Sequence, residues 1–313
     1  MSTPTSDTAT QAPGTALVEG SSLSQDAWRR LKRNRIALVS GAVVSAVILF
    51  CAFGPLIAGL FGLSYEIQDI ALGAAAPSWG HPFGTDDLGR DVMVRTMHGG
   101  RVSLLVAGVA TTVSLVVGTT YGAISGFMGG RVDNVMMRFV DLAMSTPYLL
   151  LVIVLMAVIP PTSIQIGSLD GSFVMMFAAL GLVSWLVLAR IVRGQVLSLK
   201  ELEFVEAARA IGVSPLRILF RHIVPNTLGP VIVYSSLTIP SVMLSEAFLS
   251  FLGLGIREPQ ASWGTLVNDG ANAMVVYPWL LAFPGGVMTL TLFCMNFLGD
   301  GLRDALDPKG QVD

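Results

Sequence analysis

The chain has 313 residues, 53% hydrophobic and 13% charged, with a mean hydropathy of +0.69 and a formal charge of −2. Soluble proteins carry roughly 25% charged residues, so this composition excludes a soluble globule and describes a membrane protein. The slightly acidic balance excludes a basic nucleic-acid surface, the three histidines are scattered without metal-ligand spacing, and Cys51 and Cys294 lie inside apolar runs as small core hydrophobes.

Residues 1–26 are rich in Ser, Thr, Ala, Gly and Pro, contain no lysine or arginine, and are expected to form a disordered tail ahead of one membrane domain at 27–313. Arg29, Arg30, Lys32, Arg33 and Arg35 then precede an apolar run from Ile36 to Leu60. That run exceeds the core of a signal peptide and reads as a retained first span, bent at Pro55. Crossing about 30 Å of hydrocarbon takes roughly 20 residues. Further runs of that size are Val102–Phe127, Phe139–Ile159, Phe173–Leu197, Leu228–Leu254 and Trp279–Leu298, giving six spans. They lack the alternation of a barrel and must be helices, because backbone groups in lipid have to be satisfied within the segment. With the N terminus inside, fifteen of the nineteen basic residues face the cytoplasm, against Arg90, Arg95, Arg101 and Arg257 outside. The positive-inside rule therefore places both termini in the cytoplasm.

The outer segment after the first span contains His81-Pro82-Phe83-Gly84-Thr85-Asp86-Asp87-Leu88-Gly89-Arg90-Asp91. Its glycines and proline mark a tight loop in which Asp is a turn residue rather than a metal ligand. Asp91 to Met97 is expected to form a short interfacial helix leading into the second span. Gly122 and Gly126 share a helical face; close approach of another helix and chance in a chain of 33 glycines both fit. Arg138 and Asp141 are spaced as a helix pair, Ser145-Thr146-Pro147 should distort the third span, and Arg190 and Arg193 should snorkel to headgroups. The third and fourth spans are joined outside by Pro160 to Gly171.

Residues 198–228 form the long polar interruption. Leu202, Val205, Ala208, Ala210 and Ile211 make a helical stripe with Glu203 and Glu206 near its start, and Gly212 is placed to end that helix. Ser214 caps a second helix with Pro215 at its first position; Leu216, Leu219, Phe220 and Ile223 form one apolar face, Arg217, Arg221 and His222 the polar side, and Pro225 closes it. A docking helix and an ordinary amphipathic surface helix both fit this pattern. In the fifth span Glu246 is an acid well inside an apolar run, expected to be protonated, paired or facing a polar cavity, with a structural or gating role preferred to substrate contact. Trp263 and Trp279 suit the interfacial aromatic belt.

These residues also carry a resemblance. Glu206-Ala207-Ala208, then Gly212, Ile223 and Pro225, resemble the EAA loop of membrane subunits of ATP-binding-cassette importers. HPFGTDDLGRD at 81–91, Gly100-Arg101-Val102-Ser103-Leu104, Phe251-Leu-Gly-Leu-Gly255 with Ser262-Trp263-Gly264, and the ending from Asn296 to Pro308 resemble the permeases of peptide and nickel importers. The likeness covers nearly everything after the first thirty residues. It implies an all-α, six-helix type I importer permease of the second (C-type) kind in the bacterial plasma (inner) membrane. Glu206, Ala207, Ala208, Gly212, Ser214, Pro215, Leu216, Arg217 and Phe220 would couple it to the ATPase. Asp86, Asp87, Arg90 and Asp91 would face the binding protein or the substrate entrance. The implied partners are a paralogous permease, two cytoplasmic ATPase subunits that hold ATP and Mg, and an extracytoplasmic binding protein; this chain itself would bind no cofactor. It contains no GxxxxGK[ST] phosphate loop, GxSxG turn or HExxH helix, which argues against an ATPase or an embedded enzyme. The expected cargo is di- or oligopeptides. Nickel or a nickel chelate is the alternative, and a stand-alone secondary transporter is disfavoured because Glu246 is the chief mid-span acid.

Overall fold

The computed structural model describes residues 23–158 and 171–306. The expected tail lies outside these residues except at its end, where a helix already begins, and the loop expected from Pro160 lies outside them up to Gly171. The described elements are helical, with a single isolated β-bridge between Thr85 and Asp91. In chain order they are α1 (Leu23–Arg33), α2 (Arg35–Leu60), α3 (Val92–Val113), α4 (Thr119–Met128), α5 (Gly130–Ser145), α6 (Tyr148–Val158), α7 (Gly171–Leu199), α8 (Glu203–Ala210), α9 (Pro215–Ile218), α10 (Val224–Asn226), α11 (Leu228–Phe251), α12 (Trp263–Ala273) and α13 (Trp279–Leu306).

Among the described residues five helices are long and apolar enough to cross a membrane, and α5 with α6 makes a sixth span if that bent pair is counted as one. The pair turns by 88° at the Ser145-Thr146-Pro147 step, where proline supplies no backbone donor and disfavours a helical residue before it. The expected interfacial helix at 91–97 is instead the first part of α3, started by Asp91, whose Oδ1 accepts from Val94 N–H at 2.9 Å. A wider π turn at Ser114–Gly118 joins α3 to α4 into one long span. A larger core is built from α2, α3, α5, α6, α7, α11, α12 and α13, and a smaller one joins α4 and α7 to α8, α9 and the start of α11.

Of the two readings of Gly122 and Gly126, close approach is the one observed. A Cβ on Gly122 would stand 2.3 Å from the Ala189 carbonyl oxygen, and one on Gly126 2.9 Å from that of Arg193, so α4 lies directly on the backbone of α7. Gly122→Ala is therefore expected to push these helices apart at a cost of about 1–3 kcal/mol. It should lower the thermal midpoint of the purified protein, whereas Gly59→Ala, with open space around its Cβ position, should not. Equal midpoints for the two variants would contradict this packing.

At the same end of α7 the two arginines expected to snorkel make ion pairs. Arg193 donates to both oxygens of Asp133 at 2.6 Å, Ser125 donates to Asp133 Oδ1 at 2.6 Å, and Arg190 pairs with Asp141. Asp141 thus reaches across to α7 rather than along its own helix to Arg138. A bidentate guanidinium–carboxylate pair is among the stronger charge-assisted hydrogen bonds and fixes the geometry of both side chains.

Candidate functional site

The polar interruption folds as two helices around Gly212. Gly212 has φ +80°, its N–H donates to Arg209 O at 3.0 Å and Val213 N–H to Ala208 O at 3.1 Å, a paired closure of α8 that needs a left-handed residue. Pro215 opens α9, as expected. Ser214 precedes it in extended conformation, but its side chain makes no capping hydrogen bond, so the helix start rests on the proline. Nor does Pro225 close the second helix. Lacking an N–H, it cannot bond the carbonyl four residues back; the chain widens into a π turn over Leu219–Ile223, and the Asn226 amide donates to His222 O at 2.6 Å. Only Thr227 separates α10 from α11. The segment is therefore nearly continuous with the membrane-spanning helix α11.

The apolar faces expected from the sequence are divided. Val205, Ala208, Ile218, Leu219 and Ile223 are buried against Ala123, Leu188, Val192 and Val196. Leu202 and Ala210 face outward, and Ile211, Leu216 and Phe220 are 81%, 68% and 48% exposed. Burying an Ile or Leu is worth roughly 1.5–3 kcal/mol, so the inner set fixes the segment to the bundle. The outer set lies among exposed Glu206, Ala207, Gly212, Ser214, Pro215 and Arg217. Of the nine residues expected to couple, Ala208 alone is buried. The rest are exposed and combine large apolar side chains, Leu216 and Phe220, with the charged Glu206 and Arg217, the kind of composition seen in protein-docking patches.

At the other end, the segment between α2 and α3 is folded over α3, α12 and the start of α13. Asp86 accepts from the backbone N–H groups of Leu88 and Arg90 at 3.0 and 2.9 Å, from Arg90 Nε at 2.7 Å, and from Arg95. Arg90 also donates to Glu258 at 3.0 Å. Burial would lower the Arg90 pKa, but hydrogen bonds and charge from Asp86 and Glu258 outweigh it and raise it above the ordinary value. Asp91 holds His81 Nδ1 at 2.8 Å with one oxygen and caps α3 with the other. Three of the four outer residues singled out in the sequence are thus tied into the loop's own framework, and Asp87 is exposed. Asp86, Asp87 and Arg90 nevertheless border an open cleft of about 550 Å³, which Arg95, Glu258 and Asp269 also line, whereas Asp91 does not reach it. Sequence reasoning missed those three because they come from α3, α12 and the loop after α11.

Between the two ends lies Glu246. It is 1% exposed and paired. Ser262 donates to its Oε1 at 2.5 Å and Ser250 at 3.0 Å, while Ser103 donates to Oε2 at 3.0 Å. Ser103 Oγ accepts from Trp263 N–H and Ser262 Oγ from Thr265 N–H, both at 3.1 Å, which leaves their hydroxyl protons directed to the carboxylate. The carboxylate also sits at the first turn of α12: a Cβ on Gly264 would lie 2.9 Å from Oε1. A helix N-terminus stabilises negative charge there. Trp263 is not an interfacial belt residue but fully buried, donating through Nε1 to Thr96 O at 2.9 Å. Glu246 therefore fastens α11, α3 and the outer helix α12 to one another. Helix α12 itself was not foreseen; its signal was Ser262 three residues before Thr265, a reciprocal cap that the structure contains.

Residues 118–311 match the family of the binding-protein-dependent transport system inner membrane component, and residues 22–77 match the N-terminal TM domain of oligopeptide transport permease C. The oligopeptide transport system permease protein OppC of Escherichia coli K12 is 50% identical over 294 residues, covering 93% of each chain. OppC of Haemophilus influenzae is 49% identical over 294 residues, 93% of this chain and 90% of that one. The dipeptide transport system permease protein DppC of Bacillus subtilis is 41% identical over 289 residues, 92% and 86% of the two chains. A solved chain of the MetNI methionine ABC transporter, in an inward-facing conformation, has the same fold with a TM-score of 0.52 at 19% identity, covering 69% of this chain and 97% of that one. The type I importer fold expected from the loop motifs is thereby established, and the work of ATP hydrolysis falls to separate subunits. This multi-pass membrane chain belongs to the family of inner membrane components of binding-protein-dependent transport systems, as an ABC permease of the OppC kind.

Proposed function

We propose that this chain forms, with a paralogous permease, the pathway by which di- or oligopeptides cross the inner membrane after delivery by an extracytoplasmic binding protein. Two cytoplasmic ATPase subunits, holding ATP and Mg, close on the exposed surface around Leu216 and Phe220. Because α9 runs through α10 into α11, and because Ile218, Leu219 and Ile223 pack on α4 and α7, force applied at that surface moves spans rather than a loop. Glu246 carries the movement of α11 to α12 and the outer cleft. The docking segment's near-continuity with α11 is the observation that carries the mechanism, and the peptide names of the OppC and DppC relatives favour peptides over nickel. Both termini and the docking surface lie in the cytoplasm in this reading, which follows the distribution of lysine and arginine.

The test is uptake by the complete transporter in sealed vesicles loaded with ATP. A labelled tripeptide with its binding protein is expected to accumulate, and nickel to fail to compete. Accumulation of nickel without peptide uptake would replace this reading by the metal alternative. Transport without any ATPase subunit would replace it by a secondary transporter.

A further inference from the structure

We infer that the outward face of α1 and the start of α2 bind anionic phospholipid headgroups of the leaflet on the side of the docking surface, a proposal that rests on the orientation given above.

The segment from Arg29 to Arg35 holds five basic residues, and no acidic residue occurs between Ala27 and Tyr65. Helix α1 divides these charges by face. Ala27, Leu31 and Asn34 recur at helical spacing and are half-buried, with α1 packed on α13 and the junction seated against Gly301 of α13. Trp28, Arg29, Lys32 and Arg33 are exposed on the other side, as are Arg35 and Ile36 at the first turn of α2. The bundle supplies no neutralising partner for this face: Arg29, Arg33 and Arg35 form no ion pair with any described residue, and Lys32 lies 5.3 Å from the centroid of the Trp28 ring.

Three features favour lipid over an acidic protein surface. The basic run abuts the apolar span without a linker, so its side chains stand at headgroup depth by construction. Trp28, 56% exposed, places an indole beside the charges, the pairing typical of the membrane boundary. Arg35 sits at the first turn of α2, where the helix dipole disfavours a cation, and a headgroup phosphate offsets that repulsion. A polybasic segment next to a span gains about fivefold in association per charge from an anionic surface.

The experiment uses the complete transporter in vesicles of mixed phosphatidylcholine and phosphatidylglycerol, measuring the preference of spin-labelled phosphatidylglycerol over spin-labelled phosphatidylcholine for the protein surface. Combining Arg29→Gln, Lys32→Gln, Arg33→Gln and Arg35→Gln is expected to lower that preference at least tenfold, and Arg131→Gln, at an exposed arginine in the first turn of α5, less than twofold. An unchanged preference overturns the inference. So does loss of the ATPase subunits from the variant in detergent with lipid preference intact, which would make a protein the occupant. Should the fourfold variant fail to assemble, raising salt on the wild type decides: shortening the screening length from about 10 Å to about 3 Å is expected to erase the preference, and persistence overturns it. Both leaflets carry the anionic lipid, so this readout is independent of orientation and of cargo. Orientation is read separately by an impermeant maleimide, expected to label Ser78→Cys in intact spheroplasts and Arg209→Cys only after lysis. The opposite pattern would remove the assignment of leaflet and leave the lipid result standing.

Discussion

Placing a glutamate at Leu216 is expected to lower peptide-stimulated ATP hydrolysis and uptake at least tenfold while the chain still inserts and pairs. Leu216 is 68% exposed in the isolated chain, so the substitution removes no contact within the fold, and surface changes of this kind usually alter stability by about 0.5 kcal/mol or less. At a closed interface the same carboxylate loses its water without gaining a partner, a penalty of several kcal/mol. Each 1.4 kcal/mol is a factor of about ten, so even a partly desolvated charge suffices. Ile218→Glu is the contrast. Ile218 is buried among Leu188, Val192 and Val196, and its replacement should deplete the folded protein itself. Separate measurement of membrane abundance and ATPase stimulation tells the two apart. Normal stimulation in Leu216→Glu would mean that the exposed surface is not where force enters.

The proposed force path accounts for the sensitivity expected of that surface. A helix ending at Pro225 would have been a hinged paddle, able to absorb a push in its linker. The chain instead passes from α9 through a π turn to α10 and, after Thr227 alone, into α11. Proline's missing donor is accommodated by widening the helix, not by breaking it. Displacement of α9 is therefore shared with α11 directly and with α4 and α7 through the smaller core.

What could be read from the sequence was whatever depends on local order. Apolar runs located the spans, Ser145-Thr146-Pro147 located the 88° bend, and Gly212 located the end of α8, because each is decided within a few residues. The apolar faces of α8 and α9 were legible only as faces. Which half turns inward depends on α4 and α7, remote in the chain, so Leu216 and Phe220 could not be told from Leu219 and Ile223. The same limit hid the Arg193–Asp133 pair, formed across 60 residues. It also misplaced Trp263, whose position in the chain suits a membrane boundary but whose indole is enclosed by α3. Periodicity states that a side chain is buried on some face; only the arrangement of other elements states against what.

Replacing Glu246 by alanine is expected to lower the thermal midpoint of the assembled permease sharply, and replacement by glutamine to lower it by less. The alanine variant strips an acceptor from the hydroxyls of Ser103, Ser250 and Ser262, all buried, and each stranded donor costs about 1–3 kcal/mol. Glutamine retains the shape and one acceptor oxygen, but its amide group brings donors to a site already furnished with them, so the fit of three hydroxyls around two oxygens fails at one position. The order wild type, glutamine, alanine is thus set by hydrogen-bond counting alone. Aspartate preserves the charge yet shortens the reach from α11 to α12, and should fall beside glutamine. A substrate-contacting role predicts something different: altered preference among peptides with an undisturbed midpoint, since the fold would not depend on the carboxylate. Measuring both quantities on the same preparations separates the alternatives, and an alanine variant as heat-resistant as wild type would eliminate the idea that this acid fastens the outer helix to the spans.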